Sequence, residues 1–422
     1  MPVSESDLKK YVLIGAGPAS VRAAETLRKA DNNCSITMIG LEDESPYSRM
    51  ALPYYLSGMI KEAGTHLRKT TGHFEALNIQ HVIAKVEKVD VANKQVNLDT
   101  GDTYDYDKLM IATGSRPANS PFPGGDTEGV VNCWTLADGR KILDAVKPGS
   151  KVALLGAGFV ASIIIEAMLK KGVDLTVMMG RTGRMVSRMM DEPAGDMIKA
   201  WCEAKGVKTI LPSSIQSIEA GPALKRDDDS LTEFDLIVVA TGVYSNIEFL
   251  EGTGIETGNG ILVDAGLHTN IEDIYAAGDV AQGLDFSTGG QSVHAIQPTA
   301  VDHGRIAAIN MMGGHAVYKG SLSMNVLDTS GLVSTSFGSW GGVEGGESAT
   351  LLDQDNYKYI RLNFKGDHLV GAVTVGRTDH IGILRGLIQS EVSLGSWKQK
   401  LMDDPTLIMN AYLAKSIDIC QV

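Results

Sequence analysis

The chain has 422 residues, 43% of them apolar and 21% charged, with a formal net charge of −13. That is enough apolar material for two or three domains with cores of their own, and too much for a mainly disordered chain. The acidic balance argues against nucleic acid or an anionic membrane as the main partner.

The first ten residues are polar and mixed in charge, so no signal peptide is expected before the first strand. No apolar run reaches the ~18 residues that span a bilayer. The longest, from Phe159 to Leu169, is interrupted by Glu166. A cytoplasmic protein without membrane insertion is expected. Tyr11 to Ile14 is a short apolar run that stops at Gly15; Gly17 and Ser20 follow, then a helical pattern through Leu27. This reads as strand, tight turn, helix. Gly15 permits the turn. Gly17 has no side chain, so a pyrophosphate can lie against the helix N-terminus, where free N–H groups and the dipole favour negative charge. Ser20 is small enough for close helix–strand packing.

Ser35 to Ile39 is a second strand, ending at Gly40-Leu41-Glu42. A carboxylate there suits the ribose hydroxyls of an adenine nucleotide. Glu42 is the choice, with Asp43 and Glu44 near enough to compete. In Ser45 to Gly58, Arg49 is a candidate contact for phosphate or adenine, and the tyrosines serve packing equally well. Ala84 to Leu98 reads as short strands around turns. Asp107 to Ala112 is another buried strand, broken by Thr113-Gly114-Ser115-Arg116-Pro117. Asn119 to Gly129, rich in Pro and Gly, marks a domain crossing.

Lys151 to Leu155 begins the pattern again, with Gly156, Gly158 and a helix that runs to Lys171 and ends at Gly172. Val173 to Met179 is the next strand. Asp235 to Ala240 is followed by Thr241-Gly242, matching Ala112-Thr113-Gly114. A whole domain is repeated, which implies two dinucleotides, or one carrier and one prosthetic group. Ile274 to Ala277 is a further strand ending in Gly278-Asp279. Gly278 permits close approach there, and Asp279 can accept hydrogen bonds from sugar-like hydroxyls. A helix from about Thr299 to Met312 follows. Tyr357 to Phe364 and His368 to Val375 form a hairpin around Lys365-Gly366-Asp367. Ile381, Leu384, Leu387 and Ile388 share one helix face. Ser336 to Ser348, rich in Gly and Ser, reads as a flexible loop or as a contact surface. Cys34, Cys133, Cys202 and Cys420 form no C-x-x-C pair and the nine histidines include no H-E-x-x-H, so no metal site is expected.

Five stretches together resemble the FAD-dependent pyridine nucleotide oxidoreductase superfamily, flavoproteins with two dinucleotide-binding domains. They are GAGPAS from Gly15, IATGSRP from Ile111, LLGAGFVA from Leu154, VVATGVYSN from Val238 and TNIEDIYAAGDVA from Thr269. The resemblance covers nearly the full chain. It implies an α/β fold: two Rossmann-like three-layer domains plus a C-terminal α+β interface domain. The FAD domain is then discontinuous, residues 1–118 and 243–320, around an NAD(P) domain at 119–242, with the interface domain at 321–422. The resemblance places FAD at Gly15, Gly17, Pro18, Ala19, Glu42, Arg49, Lys85, Ala112, Thr113, Gly114, Gly278, Asp279 and Pro298. It places NAD(P) at Gly156, Gly158, Phe159, Val160, Met179, Arg181 and Gly242.

Three departures narrow the function. SRMALPYYLSG looks like the segment that carries a redox cysteine in NADH oxidases and coenzyme A-disulfide reductases, and the cysteine position is Met50. A thioether forms neither a sulfenate nor a mixed disulfide, so thiol chemistry beside the flavin is not expected. Ferredoxin-reductase relatives carry a lysine and a glutamate at the positions of Tyr54 and Ile163, so both members of that charge pair are missing together. NAD-preferring members end the strand Leu175 to Met179 with Glu; here Met179 or Gly180 stands there, followed by Arg181, which suits the 2′-phosphate of NADP or is a plain surface arginine.

The C-terminal part resembles the interface domain of the nitrite-reductase flavin segment and of FAD subunits in aldehyde or phenylglyoxylate oxidoreductase complexes. What these resemblances imply is an FAD-dependent electron-transfer subunit. It exchanges hydride between NAD(P)(H) and FAD, and electrons with an iron–sulfur protein, with NAD(H) expected over NADP(H). No side chain is required as acid, base or nucleophile; the cofactor carries the chemistry. The alternatives are a stand-alone rubredoxin or ferredoxin reductase and a non-catalytic FAD/NADH-binding scaffold.

Overall fold

The computed structural model describes residues 8–419, so Met1 to Asp7 of the polar start, and Cys420, lie outside the described residues. The chain opens with β1 (Lys10–Ile14), α1 (Pro18–Ala30), β2 (Ser35–Gly40), β3 (Ile79–Ile83) and β4 (Lys108–Ile111). Next come β5 (Val130–Asn132), β6 (Lys151–Leu155), α2 (Phe159–Lys170), β7 (Asp174–Met178), α3 (Glu192–Ala204), β8 (Lys208–Ile210) and β9 (Leu236–Val239). Then follow β10 (Ile274–Ala276) and α4 (Gln297–Met311). The last part holds β11 (Met324–Thr329), β12 (Leu332–Gly338), β13 (Glu347–Asp353), β14 (Lys358–Lys365), β15 (His368–Val375) and α5 (Ile381–Ser390).

Two compact units form. One takes residues up to Tyr55, Ile60–Arg116 and Val243–Ser321; the other takes Leu56–Met59, Pro117–Gly242 and Leu322 onward. The first unit is built on a parallel sheet in the order β10-β4-β1-β2-β3. Its central strands are continuous apolar runs because helices and loops cover both faces of such a sheet. Leu13, Met38, Leu109, Met110 and Ile111 are fully buried in its core. Pro18 opens α1, where its missing N–H is no loss, and the basic Arg28 and Lys29 sit in the last turn, matched to the dipole. Arg28 is buried with no carboxylate among its hydrogen-bond partners; its guanidinium donates to the carbonyls of Asp31, Asn32, Cys34, Leu77 and Asn78. Those carbonyls lie at the foot of the sheet, so one long side chain ties α1, β2 and β3 together.

The second unit holds a parallel sheet in the order β8-β7-β6-β9-β5. It also holds an antiparallel sheet in the order β11-β12-β15-β14-β13. The helix α2 is apolar nearly all round, because it packs against β7 on one side and β11 on another. The two sheets are fastened by side chains of α3 and its N-cap. The Trp201 indole N–H donates to the carbonyls of Thr329 and Ser330, and Tyr359 donates its hydroxyl to Asp191 at 2.6 Å. Arg361 pairs with the same carboxylate at 3.3 Å. Leu384, Leu387 and Ile388 of α5 are buried together, as their spacing predicts.

The Gly/Ser-rich stretch is not one flexible loop. Ser336, Phe337 and Gly338 complete β12 and are buried, and Glu347 and Ser348 open β13. Only Ser339–Gly346 lies between strands, and Asn363 of β14 pins its start by donating to the carbonyls of Ser339 and Trp340 at 2.9 and 2.7 Å. Among the described residues no helix is long and apolar enough to cross a membrane.

Candidate functional site

The two glycine turns are built alike. At the end of β1, Gly15 has φ +117°, and its N–H donates to the Ile39 carbonyl at 2.7 Å. A Cβ on it would sit 2.1 Å from the Ala112 carbonyl oxygen, so only glycine fits where β4 ends beside β1. Gly17, the N-cap of α1, has an ordinary extended backbone and no side-chain cap, and a Cβ there would meet nothing within 4 Å. The first turn of α1 therefore begins under open space; Pro18 brings no N–H of its own, and the backbone N–H groups of Ala19 and Ser20 are the donors of that turn. That cradle fits a pyrophosphate.

In the second unit Gly156 has φ +121°, its N–H donates to the Met178 carbonyl at 3.1 Å, and its Cβ would lie 2.3 Å from the Ala240 carbonyl oxygen. Gly158 caps α2 with no side-chain bond and nothing within 4 Å of a Cβ. Phe159 and Val160 form the first turn behind it. Met179, after β7, is buried in the core, while Arg181 is exposed. Gly242, at φ +134°, accepts the N–H of Ala118 at 2.8 Å.

Three further segments of the first unit gather around the first turn. Thr113 and Gly114 are held by Asn246: its side-chain amide donates to the Thr113 carbonyl at 2.9 Å, and its backbone N–H to the Gly114 carbonyl at 3.0 Å. Gly278, at φ +75°, turns the chain after β10 with Ala19 and Ala300 close to its Cβ position. The Asp279 carboxylate behind it accepts the Ser115 hydroxyl at 3.3 Å. Burial pushes that carboxyl up, against the Ser115 hydrogen bond and the charge of Arg49. Ser115 and Ser245, whose hydroxyl donates to the Asp279 carbonyl at 3.0 Å, orient this residue; both lie in stretches that carry the resemblance, and the sequence reading gave neither a role of its own.

Glu42 and Arg49, two separate candidates in the sequence, are one ion pair at 2.7 Å, and the Tyr47 hydroxyl donates to the same carboxylate at 2.6 Å. Two side chains therefore position the Glu42 carboxylate. Lys85 is exposed after β3, with its backbone N–H on Asp99.

Met50 and Tyr54, 43% and 53% exposed, share an open depression with Gln297, Pro298 and Val301 at the start of α4. The Ser48 hydroxyl donates to the Gln297 side chain across its floor. Sequence reasoning marked Pro298 and missed Gln297, whose role depends on a partner far away in the chain. No described cysteine lines this depression. Cys34, Cys133 and Cys202 are buried, and burial pushes the thiols of Cys133 and Cys202 up to about 12. Thiols this hard to ionise are poor nucleophiles at neutral pH. Replacing all four cysteines is therefore expected to leave NADH-to-dye turnover within a few-fold of wild type; a large fall with FAD still bound would show a thiol in the reaction. Among the described residues there is no group of three or more His, Cys, Asp or Glu side chains arranged to hold a metal ion.

Comparison with known proteins extends this picture. The family model for pyridine nucleotide-disulphide oxidoreductases matches residues 9–304. The chain is 31% identical to the epsilon subunit of NADH-dependent phenylglyoxylate dehydrogenase from Aromatoleum evansii, over 94% of this chain and 96% of that one. It is 27% identical to NADH-rubredoxin oxidoreductase of Clostridium acetobutylicum, over 93% and 94% of the two chains. Putidaredoxin reductase, in its covalent complex with putidaredoxin, superimposes with a TM-score of 0.87 at 20% identity, covering 96% of this chain and 98% of that one.

Proposed function

The chain belongs to the pyridine nucleotide-disulphide oxidoreductase family, and from that membership we propose that it is an electron-transfer subunit joining NAD(H) to an iron–sulfur protein in a larger complex. It is an NAD(P)H oxidoreductase that binds FAD and NAD(H). The observation that carries the finer reading is Met50 in the depression beside Pro298. With a thioether there and Cys34, Cys133 and Cys202 buried, none of the described cysteines offers electrons a thiol route out. A soluble one-electron carrier or a cluster-bearing subunit is the acceptor or donor that fits this reading. The likeness to the phenylglyoxylate dehydrogenase subunit, nearly end to end, favours a partner subunit in a larger complex.

FAD, when bound, supplies the link between two-electron exchange with NAD(H) and one-electron exchange with the partner. The chain's own residues bind and orient. The first turn of α1 holds the pyrophosphate, with Gly15 and Gly17 making the approach. Ala112, Thr113 and Gly114 lie beside that turn at the end of β4. Glu42, fixed by Arg49 and Tyr47, takes the adenosine ribose. Asp279, presented by Gly278, takes a hydroxyl of the flavin side chain, and Pro298 stands at the depression. The turn from Gly156 to Val160 holds the pyrophosphate of NAD(H), with Gly242 near the end of β9 and Arg181 at the edge.

The native protein, purified without a tag, tests the reading. Co-purification with cluster-containing subunits, and transfer from NADH to their clusters, are expected. A protein that purifies alone and reduces rubredoxin or ferredoxin at full rate would establish the second reading, a stand-alone reductase, which the likeness to NADH-rubredoxin oxidoreductase favours.

NAD(H) is the expected carrier. Recognition of a 2′-phosphate usually takes more than one cation, and the other nearby candidate, Arg184, already pairs with Glu192 at 3.5 Å. Arg181→Ala is expected to change kcat/KM for NADH by less than about threefold, the range of one exposed charge. A strong NADPH preference in the wild type that collapses in this variant would reverse the assignment.

A further inference from the structure

We infer that His303 is a positioning residue of the flavin site: its imidazole, seated under the Gly278–Asp279 turn, is the acceptor that fixes the turn from which Asp279 reaches the cofactor. This rests on the reading of Asp279 as a flavin contact.

His303 lies on α4 and is only 3% exposed. The backbone N–H of Gly278 donates to its Nδ1 at 3.3 Å. That bond places the ring proton on Nε2, which is buried with no hydrogen-bond partner. A buried ring left with one unmet donor is unfavourable, and an apolar side chain would avoid it. The imidazole is kept because its other nitrogen meets a need that an apolar side chain cannot. Gly278 sits at φ +75°, after the last strand of the sheet, and its N–H points into the protein instead of along a ladder. Without Nδ1 it would be a buried, unpaired backbone donor in the residue just before Asp279.

The neighbours keep the ring where the bond needs it and keep it uncharged. The ring of Tyr318 packs edge-on against it, with centroids 4.5 Å apart and planes at 88°. Burial and the nearby His294 hold the imidazole down to about 4, so its Nδ1 lone pair is free to accept. Next in the chain, Gly304 lets α4 touch α1: a Cβ there would sit 2.1 Å from the Ala19 carbonyl oxygen. The dipeptide His303-Gly304 thus joins both cofactor segments, one residue reaching the Gly278 turn and the other resting on the first turn of α1.

Two variants separate the hydrogen bond from the packing. His303→Leu fills the space but offers no acceptor. His303→Asn places its amide oxygen one bond from Cγ, where Nδ1 stands, and can accept the Gly278 N–H. FAD affinity is read by flavin fluorescence quenching on the apoprotein, and NADH affinity of the same samples reports the second unit. His303→Leu is expected to bind FAD about tenfold more weakly, the effect of one buried donor left unmet, with NADH binding unchanged. His303→Asn is expected to stay within about threefold of wild type. A leucine variant that binds FAD as tightly as wild type, or an asparagine variant as weak as leucine, overturns the inference. If the leucine variant does not fold, His303→Ala is judged by the same criteria. Asp279→Ala, run alongside, tells the two readings apart. If it keeps full affinity, Asp279 is not a flavin contact. If it loses affinity while His303→Leu does not, the role of His303 alone falls.

Discussion

Gly17→Val is expected to leave the apoprotein folded and abolish FAD binding, and Gly158→Val to do the same for NAD(H). Both glycines have negative φ and an extended backbone that valine adopts readily, and a Cβ on either meets nothing within 4 Å. The protein itself does not need glycine at these positions. A dinucleotide does, because its phosphates must come within hydrogen-bond distance of the N–H groups in the first helical turn. A branched side chain there displaces the phosphates and removes about two charge-assisted hydrogen bonds. At roughly 1.5–3 kcal/mol each, that is about a hundredfold to ten-thousandfold in affinity. Flavin content after gel filtration reads the first variant, and NADH titration of the FAD-loaded protein reads the second. Gly17→Val that keeps its flavin would show that the first turn is not the FAD site. Exchanged losses would show that the two turns have been assigned the wrong way round. Gly15→Ala and Gly156→Ala provide the contrast. There the added carbon strikes a carbonyl oxygen at 2.1 or 2.3 Å on a backbone already at positive φ, so the fold suffers whether or not a cofactor is present.

What was legible in the sequence was what local chemistry dictates. Strand, glycine turn and helix are set within about fifteen residues, and the same requirement at Gly15 and Gly156 produced the same pattern twice. The buried runs of β4 and β9, ending in the same three residues, followed for the same reason. Features that depend on distant partners stayed hidden. Glu42 and Arg49 could be marked separately, but their pairing needed the chain to fold back between them. His303 lies on a helix face with no period or motif to distinguish it; its meaning comes from Gly278, in another segment of the first unit. The stretch after Thr335 misled for a physical reason. Glycine there reads as flexibility, yet Gly338 is glycine because a Cβ would lie 2.3 Å from the Val370 carbonyl oxygen, and Gly371 because a Cβ would strike the Ser339 carbonyl. Close backbone approach in a sheet and freedom in a loop call for the same residue, and composition does not distinguish them.

That correction sharpens the prediction for the iron–sulfur partner. No residue of the C-terminal sheet lies in either glycine turn, and the part of the Gly-rich stretch between strands, the proposed docking segment, is Ser339–Gly346, held at its start by Asn363. Gly341 is the position to change. It is exposed, its φ is not positive and a Cβ meets nothing within 4 Å, so Gly341→Trp adds bulk to the surface without straining the loop. Glu344→Lys, also exposed, reverses a charge nearby. Reduction of a small dye by NADH is expected to stay within about twofold, because no cofactor segment is altered. Transfer to the native partner is expected to fall at least tenfold, mainly as a rise in the KM for the partner, which corresponds to about 1.4 kcal/mol of docking energy. Asn363→Ala removes the pin without touching the exposed tip and is expected to give the same pattern more weakly, since a looser loop must be ordered on docking. Equal loss of dye and partner activities would mean that the loop supports the cofactor sites instead. Unchanged partner transfer in Gly341→Trp would exclude Ser339–Gly346 as the docking surface and leave the C-terminal sheet to another task, such as pairing two copies of the chain.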